Sequence, residues 1–105
     1  MSTSPASTYQ SVFTPGLLAG QVIMVTGGGS GIGRCTAHEL ASLGAHVVLV
    51  GRNPEKLANT AHEIVGDGGQ ASWHSCDIRR EDDVKAMVAQ VVQQHGRIHG
   101  LVNNA

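Results

Sequence analysis

The chain has 105 residues, 41% of them hydrophobic and 14% charged, with a formal net charge of -1. That is the length of one domain at most, since domains run to about 100–200 residues. The near-neutral charge excludes the basic face that nucleic acid or an anionic membrane surface requires. Two cysteines, Cys35 and Cys76, are too few for a disulfide-built scaffold. Each is expected to be a small buried hydrophobe in a reducing compartment.

Residues 1–14 are mostly Ser, Thr, Pro and Gln and read as a flexible leader. No charged residue precedes Arg34, so neither a secretory nor a transit signal is expected, and cytoplasm is the default compartment. No apolar run approaches the ~18 residues of a membrane span. Ordered sequence is expected from Pro15, with Leu17 and Leu18 tucked against the body. Gln21 to Thr26 reads as a short buried strand ending in a glycine run.

From Gly31 to Leu43, Ile32, Cys35, Leu40 and Leu43 recur at helical spacing, and Gly44 is a C-terminal stop. His46 to Val50 is a second, valine-rich strand closed by Gly51. Asn53-Pro54-Glu55 starts the next helix: Asn53 can cap, Pro54 suits the first helical position, and Glu55 suits the positive end. Leu57, Ala61, Ile64 and Val65 supply its buried stripe, and Gly66 to Gly69 ends it. Gln70 to Cys76 is a less apolar strand, expected nearer the sheet edge, and Trp73 is expected to pack against a helix. A third helix, Glu81 to His95, buries Val84, Met87, Val88, Val91 and Val92. Ile98 to Val102 is the fourth strand.

This β-α-β-α-β-α-β order implies an α/β, Rossmann-type, doubly wound parallel sheet. The expected strand order is 3-2-1-4, with the first two helices on one face and the third on the other. An assembly this small leaves one face under a single helix and the fourth strand as an open edge, so residues 15–105 alone are expected to be poorly stable or to associate.

Thr26-Gly27-Gly28-Gly29-Ser30-Gly31-Ile32-Gly33 joins the first strand to the first helix. A turn this tight needs residues that tolerate positive φ, and a pyrophosphate sits on backbone only where no Cβ intervenes. The helix start offers unpaired N–H groups and partial positive charge. It has no acid before Glu39, whereas the third helix opens with Glu81, Asp82 and Asp83. The positive end left open is what an anion site needs. A mononucleotide P-loop shares the glycine spacing, but Arg34-Cys35 stands where Lys-Ser or Lys-Thr is required.

About 20 residues beyond the turn, an acid would hold the ribose 2′-hydroxyl of NAD, and an arginine the 2′-phosphate of NADP. Gly51 and Arg52 fill that place. The alternative for Arg52 is a solvated surface residue at a strand end.

With these motifs, Cys76-Asp77-Ile78 after the third strand and Asn103-Asn104-Ala105 after the fourth, the chain from about Leu18 to Ala105 resembles the N-terminal part of the short-chain dehydrogenase/reductases. The resemblance implies a cofactor site of Gly27, Ser30, Gly31, Ile32, Gly33, Arg52, Asn53, Asp77, Ile78, Asn103 and Ala105. Ser30, Gly31 and Ile32 would line the phosphates. Asp77 and Ile78 would flank the adenine, and Asn103 and Ala105 would lie beside the nicotinamide ribose. The expected cofactor is NADP(H) in preference to NAD(H).

The family's catalytic serine and Tyr-x-x-x-Lys pair have no counterpart here: the only tyrosine is Tyr9, and the lysines are Lys56 and Lys85. The chain is therefore expected to be a fragment without catalytic residues, from a homo-oligomeric oxidoreductase acting on a small molecule. Pro15-Gly16-Leu17-Leu18-x-Gly20-Gln21-Val22 and Gly51-Arg52-Asn53 look most like enoyl-CoA and dienoyl-CoA reductase members, which makes an acyl-CoA a candidate substrate. The alternative function is a non-catalytic nucleotide-binding or interaction module. A metal shared by His95 and His99 is not expected, because Gly96 breaks the helix between them. His38, His46, His62 and His74 are read as ordinary surface or strand residues.

Overall fold

The structure is a computed structural model that describes residues 16–104. Its elements, in chain order, are β1 (Val22–Thr26), α1 (Gly31–Ser42), β2 (His46–Gly51), α2 (Pro54–Gly66), β3 (Gln70–Ser75), α3 (Glu81–His95) and β4 (Gly100–Asn103). All strand pairs are parallel and the order is β3-β2-β1-β4. The Rossmann-type α/β expectation and its strand order are both borne out.

The two central strands read as unbroken apolar runs because both their faces are covered. Ile23, Val25, Val47 and Leu49 pack with Ala37 and Ala41 of α1 and Leu57, Ala61 and Ile64 of α2. Val22, Met24, Val48 and Val50 pack on the other face with Met87 and Val91 of α3, together with Cys76. Successive residues point to opposite faces, so one strand serves two cores. β3, at the edge, has no fully buried residue, in keeping with its polar sequence.

Several details depart from expectation. The buried residues of α1 are Gly33, Ala37 and Ala41, while Ile32 and Cys35 are exposed. Of the expected stripe, Leu43 is buried and Leu40 packs against the core, while Ile32 and Cys35 point away and Gly33, Ala37 and Ala41 meet the sheet in their place. At Gly33 the helix lies too close to the β1–α1 turn for any side chain. Val65, Val92 and Leu17 are exposed as well. Trp73 lies beside Ala61, His62 and Val65 of α2 but stays 39% exposed, since no strand among the described residues flanks β3 on its outer side.

β4 starts two residues later than its apolar sequence suggests. The Val22 N–H donates to Nδ1 of His99 (2.9 Å), and the His99 N–H donates to the Val22 carbonyl (2.7 Å). A side chain thus takes the first ladder position, and strand pairing begins at Ile23 and Gly100.

Candidate functional site

All four strands end at one edge of the sheet, and β1 lies between β2 and β4. The chain leaves β1 toward one side and reaches β4 on the other. That is the topological switch point where open α/β sheets place ligands.

The turn after β1 is built by backbone constraints. Gly27 and Gly31 have φ of 68° and 59°, a region that costs other residues about 1–2 kcal/mol. A Cβ on Gly33 would fall on the carbonyl oxygen of Gly27, and one on Gly28 would lie 2.7 Å from Cδ2 of Leu49. The Gly27 N–H donates to the Val50 carbonyl (2.8 Å), tying the turn to β2. Ser30 is the N-cap of α1 but makes no side-chain cap, and no acid stands in the first turn. The first turn therefore presents unpaired N–H donors and partial positive charge.

Beside this turn lies a cavity of about 200 Å³ lined by Gly27, Gly29, Ser30, Gly51, Arg52, Asn53, Lys56 and Leu57. No carboxylate is among them. Asn53 Oδ1 accepts from the Lys56 N–H (3.2 Å), the expected cap, so the start of α2 is closed where that of α1 is open. Arg52 is exposed at the end of β2.

Asp77 follows β3 and is gripped by Arg79. Its Oδ1 accepts from the Arg79 N–H and Nε, and its Oδ2 from Nη2, each at 3.0 Å. These bonds, then the nearby charges of Arg79 and Arg52, hold the carboxyl at about 2. Ile78 beside it is 39% exposed.

At the end of β4, Thr26 Oγ1 donates to Asn103 Oδ1 (2.9 Å) and accepts from the Asn104 N–H (3.0 Å). The hydroxyl ties the Asn103-Asn104 segment to the glycine turn, where Gly27 passes so close that a Cβ would be 3.3 Å from the Asn104 carbonyl oxygen. Ala105 lies outside the described residues.

The structure thus gathers Gly27, Ser30, Gly31, Ile32 and Gly33 at the turn, with Arg52 and Asn53 along its β2 side and Asn103 on its β4 side. Asp77 reaches Arg52 through its field alone. Sequence reasoning missed Lys56 and the tethering role of Thr26. Lys56 lies in the first turn of α2, and the parallel pairing of β2 with β1 sets that helix start beside the glycine turn. Among the described residues, no cluster of three or more metal-ligating side chains forms, and no helix is long and apolar enough to cross a membrane.

Fold and site together define a Rossmann-type dinucleotide-binding protein. The short chain dehydrogenase family profile matches residues 21–105, and the chain belongs to that family. It is 68% identical to a citronellol catabolism dehydrogenase from Pseudomonas aeruginosa, with a TM-score of 0.89 over 90% of this chain and 40% of that one. A metagenomic short-chain oxidoreductase solved in complex with NADP is 49% identical, with a TM-score of 0.82 over 84% of this chain and 40% of that one. A probable 2,4-dienoyl-CoA reductase from Bacillus subtilis is 38% identical over 85 residues, which are 81% of this chain and 34% of the relative. The chain thus spans about a third of the length of the curated relatives it matches.

Proposed function

We propose that these residues are the cofactor-binding part of an NADP(H)-dependent short-chain oxidoreductase. When bound, the nicotinamide supplies or accepts a hydride at C4, exchanged with a carbonyl, an alcohol or an enoyl thioester. This chain's own contribution is binding and orientation. The turn from Gly27 to Gly33 packs so closely on the protein that Cβ atoms at Gly28 and Gly33 would clash, Gly31 faces open space, and the uncapped start of α1 beside it suits a pyrophosphate.

The observation that carries the choice of cofactor is Arg52. It ends β2 with Gly51 before it and no carboxylate lining the cavity, so a guanidinium fork replaces the acid that would select NAD. The NADP complex of the metagenomic relative supports this reading. Arg52→Ala in the intact protein is expected to weaken NADPH binding about 10- to 100-fold, the value of one hydrogen bond to a charged group, and to leave NADH unchanged. Dissociation constants for both cofactors, before and after the substitution, test it. Equal losses for the two would return Arg52 to a structural role.

The 105 residues contain no Tyr-x-x-x-Lys pair, and alone they are expected to turn over neither ketones nor enoyl thioesters with NADPH. Turnover above the protein-free rate would refute this. The names of the Pseudomonas and Bacillus relatives favour an apolar alcohol, its oxidised derivative or an acyl-CoA as substrate; a cytoplasmic homo-oligomer is proposed from the sequence alone.

A further inference from the structure

Among the described residues, most cations already have a carboxylate. Arg34 pairs with Glu63, Arg79 with Asp77, Arg80 with Asp83 and Lys85 with Glu81. No ion pair holds Arg52, Lys56 or Arg97, and the first two of these line the same cavity. Two cations without an ion pair, lining one cavity whose wall has no carboxylate, suit an anion of more than one charge. Asp77, whose field reaches Arg52, is already gripped by Arg79.

We propose that Lys56 is the second specificity-determining residue of this site, sharing the cofactor's 2′-phosphate with Arg52. This rests on the NADP(H) reading above and extends it to a residue that reading does not use. Lys56 is placed by two features. Its N–H is fixed by Asn53, and its stem lies on the glycine turn, where a Cβ on Gly29 would be 3.0 Å from Cβ of Lys56. The Lys56 stem therefore leaves the backbone on the turn side of the cavity, within whose lining Arg52 also stands, just after β2. A phosphate dianion between them meets a compact point charge on one side and a planar fork on the other. The cofactor lacking this phosphate gains little from Lys56.

The test uses the intact protein and two pairs of probes: NADPH with NADH, and adenosine 2′,5′-bisphosphate with adenosine 5′-monophosphate. The second pair carries no pyrophosphate. Lys56→Gln is expected to weaken NADPH and the bisphosphate about 10-fold, leaving NADH and the monophosphate within about 2-fold. Lys56→Arg is expected to restore most of the loss, and the loss should shrink in high salt. Equal weakening of NADH and NADPH would assign Lys56 to the pyrophosphate and overturn the proposal, as would no change in any probe. If Arg52→Ala weakens both cofactors equally, the NADP(H) reading itself fails, whatever Lys56 does. If Arg52→Ala is selective and Lys56→Gln is silent, only the present proposal fails. Lys56 is exposed, and a melting curve for each variant separates binding loss from unfolding.

Discussion

Helices α1 and α3 both start where a parallel strand ends, and they treat their positive ends in opposite ways. α3 opens with Glu81, Asp82 and Asp83 in its first turn, and Arg80 before it pairs with Asp83 at 3.6 Å. The turn leading to it is closed on itself, with Asp77 bound by Arg79 and the Arg80 N–H donating to the Asp77 carbonyl (2.9 Å). Neither helix start has a side-chain cap, but α1 has no acid in its first turn and a turn of glycines before it. The α3 start carries its own negative charge, whereas the α1 start carries none. Geometry alone does not separate a structural helix start from a binding one. The local supply of negative charge does.

The strongest test of this contrast is Gly33→Ala. The added Cβ meets the Gly27 carbonyl oxygen, a backbone atom that cannot swing aside. The expected loss of stability is about 3 kcal/mol or more, at the upper end for overpacking, and nucleotide binding should go with it. A urea midpoint like that of the parent would show that the turn is not held as described. Gly31→Ala separates conformation from contact. Nothing lies within 4 Å of its missing Cβ and only the φ of 59° opposes it, so a loss of about 1–2 kcal/mol is expected.

Ser30→Asp should move stability and binding in opposite directions. An acid at the N-cap gives the open end of α1 what α3 already has, worth about 0.3–1 kcal/mol, and the same charge repels a phosphate. A higher melting temperature with NADPH binding at least about 10-fold weaker is expected. Cofactor affinity left intact would break the comparison. The reciprocal change on α3, Asp82→Asn, should cost about 0.3–1 kcal/mol and leave cofactor affinity unchanged.

The far end of α3 gives the smallest effect, and it depends on pH. The His46 ring of β2 lies 4.4 Å from that of His95, and its Nε2 is 3.0 Å from Ser72 Oγ of β3. Burial, and then the charge of His95, push His46 below the ordinary imidazole value of 6.5, and His74 shifts down for the same two reasons, while Gln70 opposes the shift at His46. A lowered folded value means that the unfolded chain takes up protons first. Stability from these rings is thus complete above about pH 6.5 and declines as pH falls through their depressed values. His46→Asn should flatten that decline in a series of urea midpoints. An unchanged slope would mean that His95 meets β2 without electrostatic consequence.

Much of this could be read from the residues alone. Apolar runs and glycine stops give seven elements in order, α2 starts at the Asn53-Pro54 cap, and the handedness of β-α-β crossovers turns that order into β3-β2-β1-β4. The glycine turn, Arg52 and the absence of acid at α1 are local features, and local chemistry is what a sequence states directly. Tertiary structure alone decided that the start of α1 meets the sheet at Gly33, because its approach to the Gly27 carbonyl admits no side chain there, whatever the hydrophobicity of Ile32 and Cys35. It decided that the ring of His99 replaces the first rung of β4, and that Thr26 ties the end of that strand to the turn, since each bond joins groups more than 70 residues apart. It also set Lys56, at the start of α2, against Gly29. A periodicity records which residues share a face of their own element; which face finds which neighbour is set by the packing of the whole chain.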